Sequence, residues 1–117
     1  MLIILPRVSL AGFEVLSSEL RKLNVLDLSG NRFSNNLVSC FNGFSSLKSL
    51  DLSNNPLKRA AGFQVLSSRL KNLESLSLKM NEYNDSIFST LTGLSSLKSL
   101  ALSYNQLTGS AGFNGNV

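Results

Sequence analysis

The strongest constraint on the fold is one apolar pattern that occurs four times along the chain. Each copy has three leucines spaced three and two residues apart, an asparagine three residues after the last leucine, and an apolar residue two positions further on. The copies begin at Leu23, Leu47, Leu73 and Leu97. This recurrence predicts a stack of similar units, because no single unit can bury its own leucines.

The repeats alternate between two lengths. The asparagines of successive copies are 24, 26 and 24 residues apart, and the tripeptide Ala-Gly-Phe recurs every 50 residues, starting at Ala11, Ala61 and Ala111. Residues 11–60 align with residues 61–110 without a gap and share 24 identical positions. This agreement indicates the duplication of a two-repeat unit.

The spacing of the leucines predicts the fold class. In each leucine-x-leucine segment, alternate side chains point to opposite sides of a short strand. Stacked copies pair these strands into a parallel sheet with a continuous apolar core behind it. In the longer return segment Phe63, Leu66 and Leu70 have helical spacing. We therefore predict an α/β solenoid, a short repeat array with a parallel β-sheet on the concave face and irregular or short-helical returns on the convex face.

The repeat boundaries divide the chain into three parts. Residues 20–113 form the four repeats, and residues 114–117 are a tail. We interpret residues 1–19 as a degenerate N-terminal repeat remnant with its return segment.

The asparagine of each copy lies where the chain leaves its strand. Its amide can both donate and accept hydrogen bonds, so it can pair backbone groups that adjacent turns leave open. We expect a structural ladder formed by Asn31, Asn55, Asn81 and Asn105.

The residue inventory argues against catalysis. The chain has no histidine, which excludes histidine-based triads, Cys-His dyads and histidine-ligated zinc. Asp27 and Asp51 occupy the same position in adjacent repeats, but an open sheet face offers no pocket that would hold a substrate between them. We predict that the chain is not an enzyme and that it uses no metal and no cofactor.

Charge and cysteine content narrow the partners further. The net charge is +4, but the basic residues occur at most in pairs and there is no tryptophan, so we expect no nucleic-acid binding. The single cysteine, Cys40, excludes a disulfide within the chain and is interpreted as a small buried apolar side chain. The apolar run at residues 1–5 is too short for a signal peptide or a membrane helix, so we expect no membrane insertion by this chain itself.

Two segments carry a family resemblance. Leu47–Asn55 (LKSLDLSNN) and Leu97–Asn105 (LKSLALSYN) resemble the leucine-rich repeats of plant receptor-like proteins and receptor-like kinases. The resemblance covers residues 11 to 113. It departs from the plant pattern because only Leu107-Thr108-Gly109 retains its glycine and no repeat has its Ile-Pro.

The resemblance implies an array on the extracellular face of the plasma membrane that senses a protein or peptide ligand in defence or development, with a co-receptor as a further partner. The chain shows none of the family's signal peptide, cysteine-paired caps, transmembrane helix or kinase, so we interpret it as a fragment of such an ectodomain. Two alternatives stay open: a cytoplasmic leucine-rich-repeat scaffold or inhibitor, and a non-functional gene remnant.

Ligand binding is expected on the strand side chains that do not enter the core, because repeat arrays bind their partners on such extended faces. Many of these side chains are serine or alanine, which seldom dominate binding energy. We therefore predict ligand contacts on the concave face from Arg32, Lys79, Met80, Tyr104, Asp27 and Asp51.

Two further features concern the surface and the ends of the array. Asn84-Asp85-Ser86 is an N-glycosylation sequon, which carries a glycan only in the secretory pathway. The repeats have no recognisable caps, so core residues face water at both ends, and we expect marginal stability or end-to-end self-association.

Overall fold

The computed structural model describes residues 2–4, 21–31 and 45–108. Four sequence predictions therefore fall wholly or mostly outside the described residues. These are the predictions that concern Arg32, Cys40, the N-terminal remnant at residues 1–19 and the tail at residues 114–117.

Five short strands of the described residues form one parallel sheet. They are β1 (Leu2–Ile4), β2 (Val25–Asp27), β3 (Ser49–Asp51), β4 (Ser75–Ser77) and β5 (Ser99–Ala101). Their order in the sheet is β1-β2-β3-β4-β5, so strands that follow each other in sequence are neighbours in space. This topology confirms the predicted α/β solenoid with a parallel sheet.

The central leucines of the repeats form one row across the sheet. Leu26 lies opposite Leu50, which lies opposite Leu76, which in turn lies opposite Leu100. The first three are at most 2% exposed. Leu100 is partly exposed, and its strand β5 has a neighbour on one side only among the described residues. The core is therefore complete in the middle of the array and thinner at this end.

The return segments differ in helix length. The longer return contains α1 (Ala60–Arg69), whereas the following return contains α2 (Ile87–Thr90) and a 3-10 turn at Leu91–Gly93. A helix advances only ~1.5 Å per residue, so a helical path between two strands needs more residues than an extended path. The two additional residues of the longer repeat supply this length, and α1 buries Phe63 and Leu66 against the sheet core.

Tyr83 lies in the core beside Phe63 of α1, the helix of the longer return. Its side chain is 2% exposed, and its ring meets the ring of Phe63 edge-on, with centroids 6.1 Å apart and planes at 72°. Edge-to-face packing is the favoured arrangement of two aromatic rings. Burial raises the pKa of the Tyr83 phenol well above its usual range, because the phenolate would lose its hydration.

The buried phenol predicts a loss of stability at alkaline pH. In the unfolded chain Tyr83 ionises near pH ~10, while the folded chain keeps it protonated to higher pH, so unfolding becomes easier as pH rises above that value. Tyr83→Phe keeps the ring and removes the ionisable group. We expect the melting temperature of the natural chain to fall more steeply between pH 9 and pH 11 than that of the variant, as measured by circular dichroism. Parallel curves would contradict this expectation.

Candidate functional site

The side of the sheet away from the leucines is lined with small side chains. We define the open sheet face as the strand residues that alternate with the central leucines: Val25, Asp27, Ser49, Asp51, Ser75, Ser77, Ser99 and Ala101. Apart from Ser99, which is exposed, each of them is partly buried. In register the face has one row that runs through Ser49, Ser75 and Ser99, and the charged row beside it includes Asp27 and Asp51.

The two aspartates of this face are bonded to the turns that follow their own strands. Oδ1 of Asp27 accepts hydrogen bonds from the backbone N–H of Ser29 at 2.9 Å and from its hydroxyl at 2.6 Å. Oδ1 of Asp51 accepts from the backbone N–H of Ser53 at 2.9 Å. One oxygen of each carboxylate is thus bonded to the turn that follows its strand. Both residues are partly exposed, so they leave negative charge on the β2–β3 half of the face.

The open sheet face has no metal-binding cluster in the part of the chain that the structure describes. A hydrogen bond of 2.6 Å joins the hydroxyl group of Ser53, in the turn after β3, to that of Ser77 at the end of β4. No three His, Cys, Asp or Glu residues come together there as ligands for a metal ion.

In the turns that follow the strands, the asparagines of the repeats bond neighbouring turns to each other. Nδ2 of Asn81 donates to the carbonyl oxygens of Leu52 and Leu78, each at 3.0 Å, and Oδ1 of Asn81 accepts from the N–H of Leu57 at 3.2 Å. Asn105 makes the equivalent bond to its preceding repeat, because its Oδ1 accepts from the N–H of Tyr83 at 3.0 Å. Asn55, Asn81 and Asn105 therefore each pair backbone groups of two repeats.

The residue before each of these asparagines adopts a left-handed backbone. We call these four residues the turn row: Gly30, Asn54, Met80 and Tyr104, with φ of 70°, 58°, 55° and 62°. Glycine and asparagine enter this region readily, whereas other residues do so at a cost. Sequence reasoning did not find this conformation, although glycine and asparagine at the same position of two repeats were a signal for it.

The turn row contains the most exposed large apolar side chains of the described residues. Met80 is 48% exposed and Tyr104 80%, ahead of Val65 on α1 at 42%. The two turns are adjacent, because the N–H of Met80 donates to the carbonyl of Ser103 at 3.0 Å. Lys79 is exposed beside Met80. The structure thus brings Lys79, Met80 and Tyr104 together, while Asp27 and Asp51 lie on the strands further back in the array.

The sequon forms a compact exposed turn. Oδ1 of Asn84 accepts hydrogen bonds from the backbone N–H of Ser86 at 3.0 Å and from its hydroxyl at 2.5 Å. The neighbouring Asp85 accepts from the N–H and the hydroxyl of Thr108 in the next repeat, at 2.9 and 2.6 Å. Asn84 is therefore presented on the surface by a turn that is anchored to the following repeat.

Comparison with known proteins agrees with this architecture. Two sequence profiles, both described as leucine-rich repeat, match residues 22–44 and 46–67 and residues 93–113, which together make up more than half of the chain. No curated protein matches the chain at significant sequence similarity. Among the described residues, no helix has the length and apolar character that a membrane span needs.

Solved structures show the same fold. Internalin C2 from Listeria monocytogenes superposes with a TM-score of 0.63 and 33% sequence identity, covering 78% of this chain and 37% of that chain. A second internalin from the same species, with a TM-score of 0.51 and 22% identity, covers 78% of this chain and 31% of its own length. The chain thus spans about a third of either internalin, and both of these proteins are bacterial.

Proposed function

Because the chain belongs to the leucine-rich-repeat family, we propose that it is a non-catalytic module that binds a protein or peptide on its open sheet face. The observation that carries this proposal is the contrast between the two sides of the sheet. One side is a closed leucine core, and the other presents a row of partly exposed small side chains bordered by Lys79, Met80 and Tyr104. A surface that extends over four neighbouring strands suits an extended peptide or a protein.

The location of the partner can be tested with a pair of charge substitutions. Ser75→Arg places a bulky charge in the middle of the open sheet face, and Gln64→Arg places the same charge on the exposed side of α1. We would select binders from a phage-displayed library of random 12-residue peptides against the natural chain and measure their affinities by biolayer interferometry. The selected peptides are expected to lose about tenfold or more in affinity for Ser75→Arg, which corresponds to ~1.4 kcal/mol.

The control variant decides between the two surfaces. Gln64→Arg should bind the selected peptides as the natural chain does, and both variants should keep the circular dichroism spectrum of the natural chain. If the peptides keep their affinity for Ser75→Arg, or lose it for Gln64→Arg, binding occurs away from the open sheet face.

We further propose an extracellular, receptor-like setting for this module, with a ligand and a co-receptor in defence or development. This proposal is supported by the sequences of Leu47–Asn55 and Leu97–Asn105, together with the exposed turn that presents Asn84. The internalins add no support for a plant source. The alternatives of a cytoplasmic scaffold or inhibitor and of a gene remnant are not favoured by the comparisons.

The receptor-like setting predicts a glycan on Asn84. An immunoblot of the protein from its source tissue should show a band above 12.7 kDa that shifts down after treatment with an N-glycan-removing enzyme. A band at 12.7 kDa that does not shift would argue against passage through the secretory pathway.

A further inference from the structure

We propose that Met80 and Tyr104 form a two-residue anchor for an apolar side chain of the bound partner, and that Lys79 pairs with a carboxylate next to that side chain. The proposal rests on the proposed function and specifies the chemistry of the partner: a peptide segment with an aromatic or large aliphatic residue within about two positions of Asp or Glu. The other two residues of the turn row, Gly30 and Asn54, are not part of this anchor.

The backbone of the turn row supplies the first argument. Met80 and Tyr104 hold a left-handed conformation at φ of 55° and 62°, which side chains with a Cβ adopt only at a cost to stability. The first two described repeats place Gly30 and Asn54 at the same position, which are the residue types that relieve this cost. The fold therefore accepts a glycine or an asparagine here, and the large residues are not needed to form the turn.

The exposure of the two side chains supplies the second argument. Met80 is 48% exposed and Tyr104 80%, so neither side chain offsets the cost of its backbone conformation by packing into the core. Both side chains suit contact with a partner, because a methionine adapts its shape to an apolar or aromatic group and a tyrosine offers a large ring with a polar end. The two residues lie on adjacent turns joined by the bond from the N–H of Met80 to the carbonyl of Ser103, so one partner side chain can contact both.

The charge distribution supplies the third argument and defines the partner. Lys79 is exposed and makes no ion pair with any described residue, while serine occupies the same position in the other three repeats, at residues 29, 53 and 103. Asp51 pairs in register with Ser77, two residues before Lys79, and the exposed Glu82 follows three residues after it, but neither carboxylate forms an ion pair with Lys79. The positive charge next to the apolar anchor therefore favours an acidic group on the partner over a basic one.

Substitutions that copy residues of the other repeats test the anchor. The double variant Met80→Asn/Tyr104→Asn installs the residue type of Asn54, and we expect its melting temperature to rise by a few degrees while peptides from the 12-residue display library lose at least tenfold in affinity. In Lys79→Ser, the same peptides should lose their preference for Asp or Glu beside the apolar residue, measured with synthetic peptides in which that acid is replaced by glutamine. Val65→Ala, on the exposed side of α1, is the control that removes an exposed apolar side chain elsewhere.

The outcomes separate this inference from the proposed function. Peptides that are lost with Ser75→Arg but retained by Met80→Asn/Tyr104→Asn would overturn the anchor and leave binding on the open sheet face intact. A fall in the melting temperature of the double variant would also overturn it, because the two side chains would then stabilise the fold. Peptides whose affinity changes with neither Ser75→Arg nor Met80→Asn/Tyr104→Asn would overturn both proposals. A loss of affinity with Val65→Ala would also count against the anchor, because the effect would then not be specific to it.

Discussion

Replacing Asn81 with alanine is expected to destabilise the chain by about 2–4 kcal/mol, because the side chain bonds two repeats in a buried position. Nδ2 of Asn81 donates to the carbonyl oxygens of Leu52, Leu78 and Lys79 at 3.0, 3.0 and 3.2 Å, and Oδ1 accepts from the N–H of Leu57 at 3.2 Å. Alanine would leave the N–H of Leu57 without this partner, at ~1–3 kcal/mol for a buried group. The three carbonyl oxygens would each lose one of two donors, because Asn55, Asn105 and the N–H of Asn54 still bond to Leu52, Leu78 and Lys79. Urea unfolding followed by circular dichroism measures the loss.

The equivalent substitution at Asn105 is the matched control. Asn105 donates to the carbonyl oxygens of Leu78 and Leu102 at 2.8 and 3.0 Å, but it is partly exposed where Asn81 is only 6% exposed. Water can replace part of its bonds, so Asn105→Ala should cost less than Asn81→Ala. Equal losses at the two positions would show that burial of the asparagine is not what sets its contribution.

Leu76→Ala is expected to cost about 2–5 kcal/mol, the range for removing a buried leucine side chain from a packed core. Leu76 is 2% exposed on β4, between Leu50 and Leu100 in register. In a repeat array each unit contacts only its neighbours, so a cavity at β4 weakens the interfaces on both of its sides. The midpoint of urea unfolding should fall accordingly.

Leu100→Ala tests the position dependence of this effect. Leu100 is partly exposed already, so less apolar surface is lost when it is truncated, and the midpoint should fall less than for Leu76→Ala. A loss below ~1 kcal/mol for Leu76→Ala would contradict the prediction, because the surrounding core would then have to collapse into the space left by the side chain.

The positions of the core residues could be predicted from the sequence alone. The leucine spacing fixes which side of each strand is apolar, since side chains alternate along a strand and a shift by one residue would expose the whole set. Phe63 and Leu66 were expected on a helix from their spacing, and α1 buries both. The length of the helix, ten residues from Ala60 to Arg69, could not be predicted, because the spacing of three apolar residues does not determine where a helix begins and ends.

The candidate site could be predicted only in part. Sequence position placed Lys79, Met80 and Tyr104 at the end of their strands, but not the strained backbone that distinguishes Met80 and Tyr104 from an ordinary surface pair. Asp27 and Asp51 were expected as ligand contacts, and the structure shows that one oxygen of each already holds the turn after its strand. Whether these residues contact a ligand stays a prediction.

The sequence by itself determined the repeat architecture, because burial of alternating leucines at a fixed period has one economical solution, the parallel stack. The tertiary structure alone decided how the repeats are joined. The hydrogen bonds from Asn81 to Leu52 and from Tyr83 to Asn105 connect residues 29 and 22 positions apart, and their partners are known only once the turns are stacked. The same stacking holds each turn in the left-handed conformation that presents Met80 and Tyr104 to solvent.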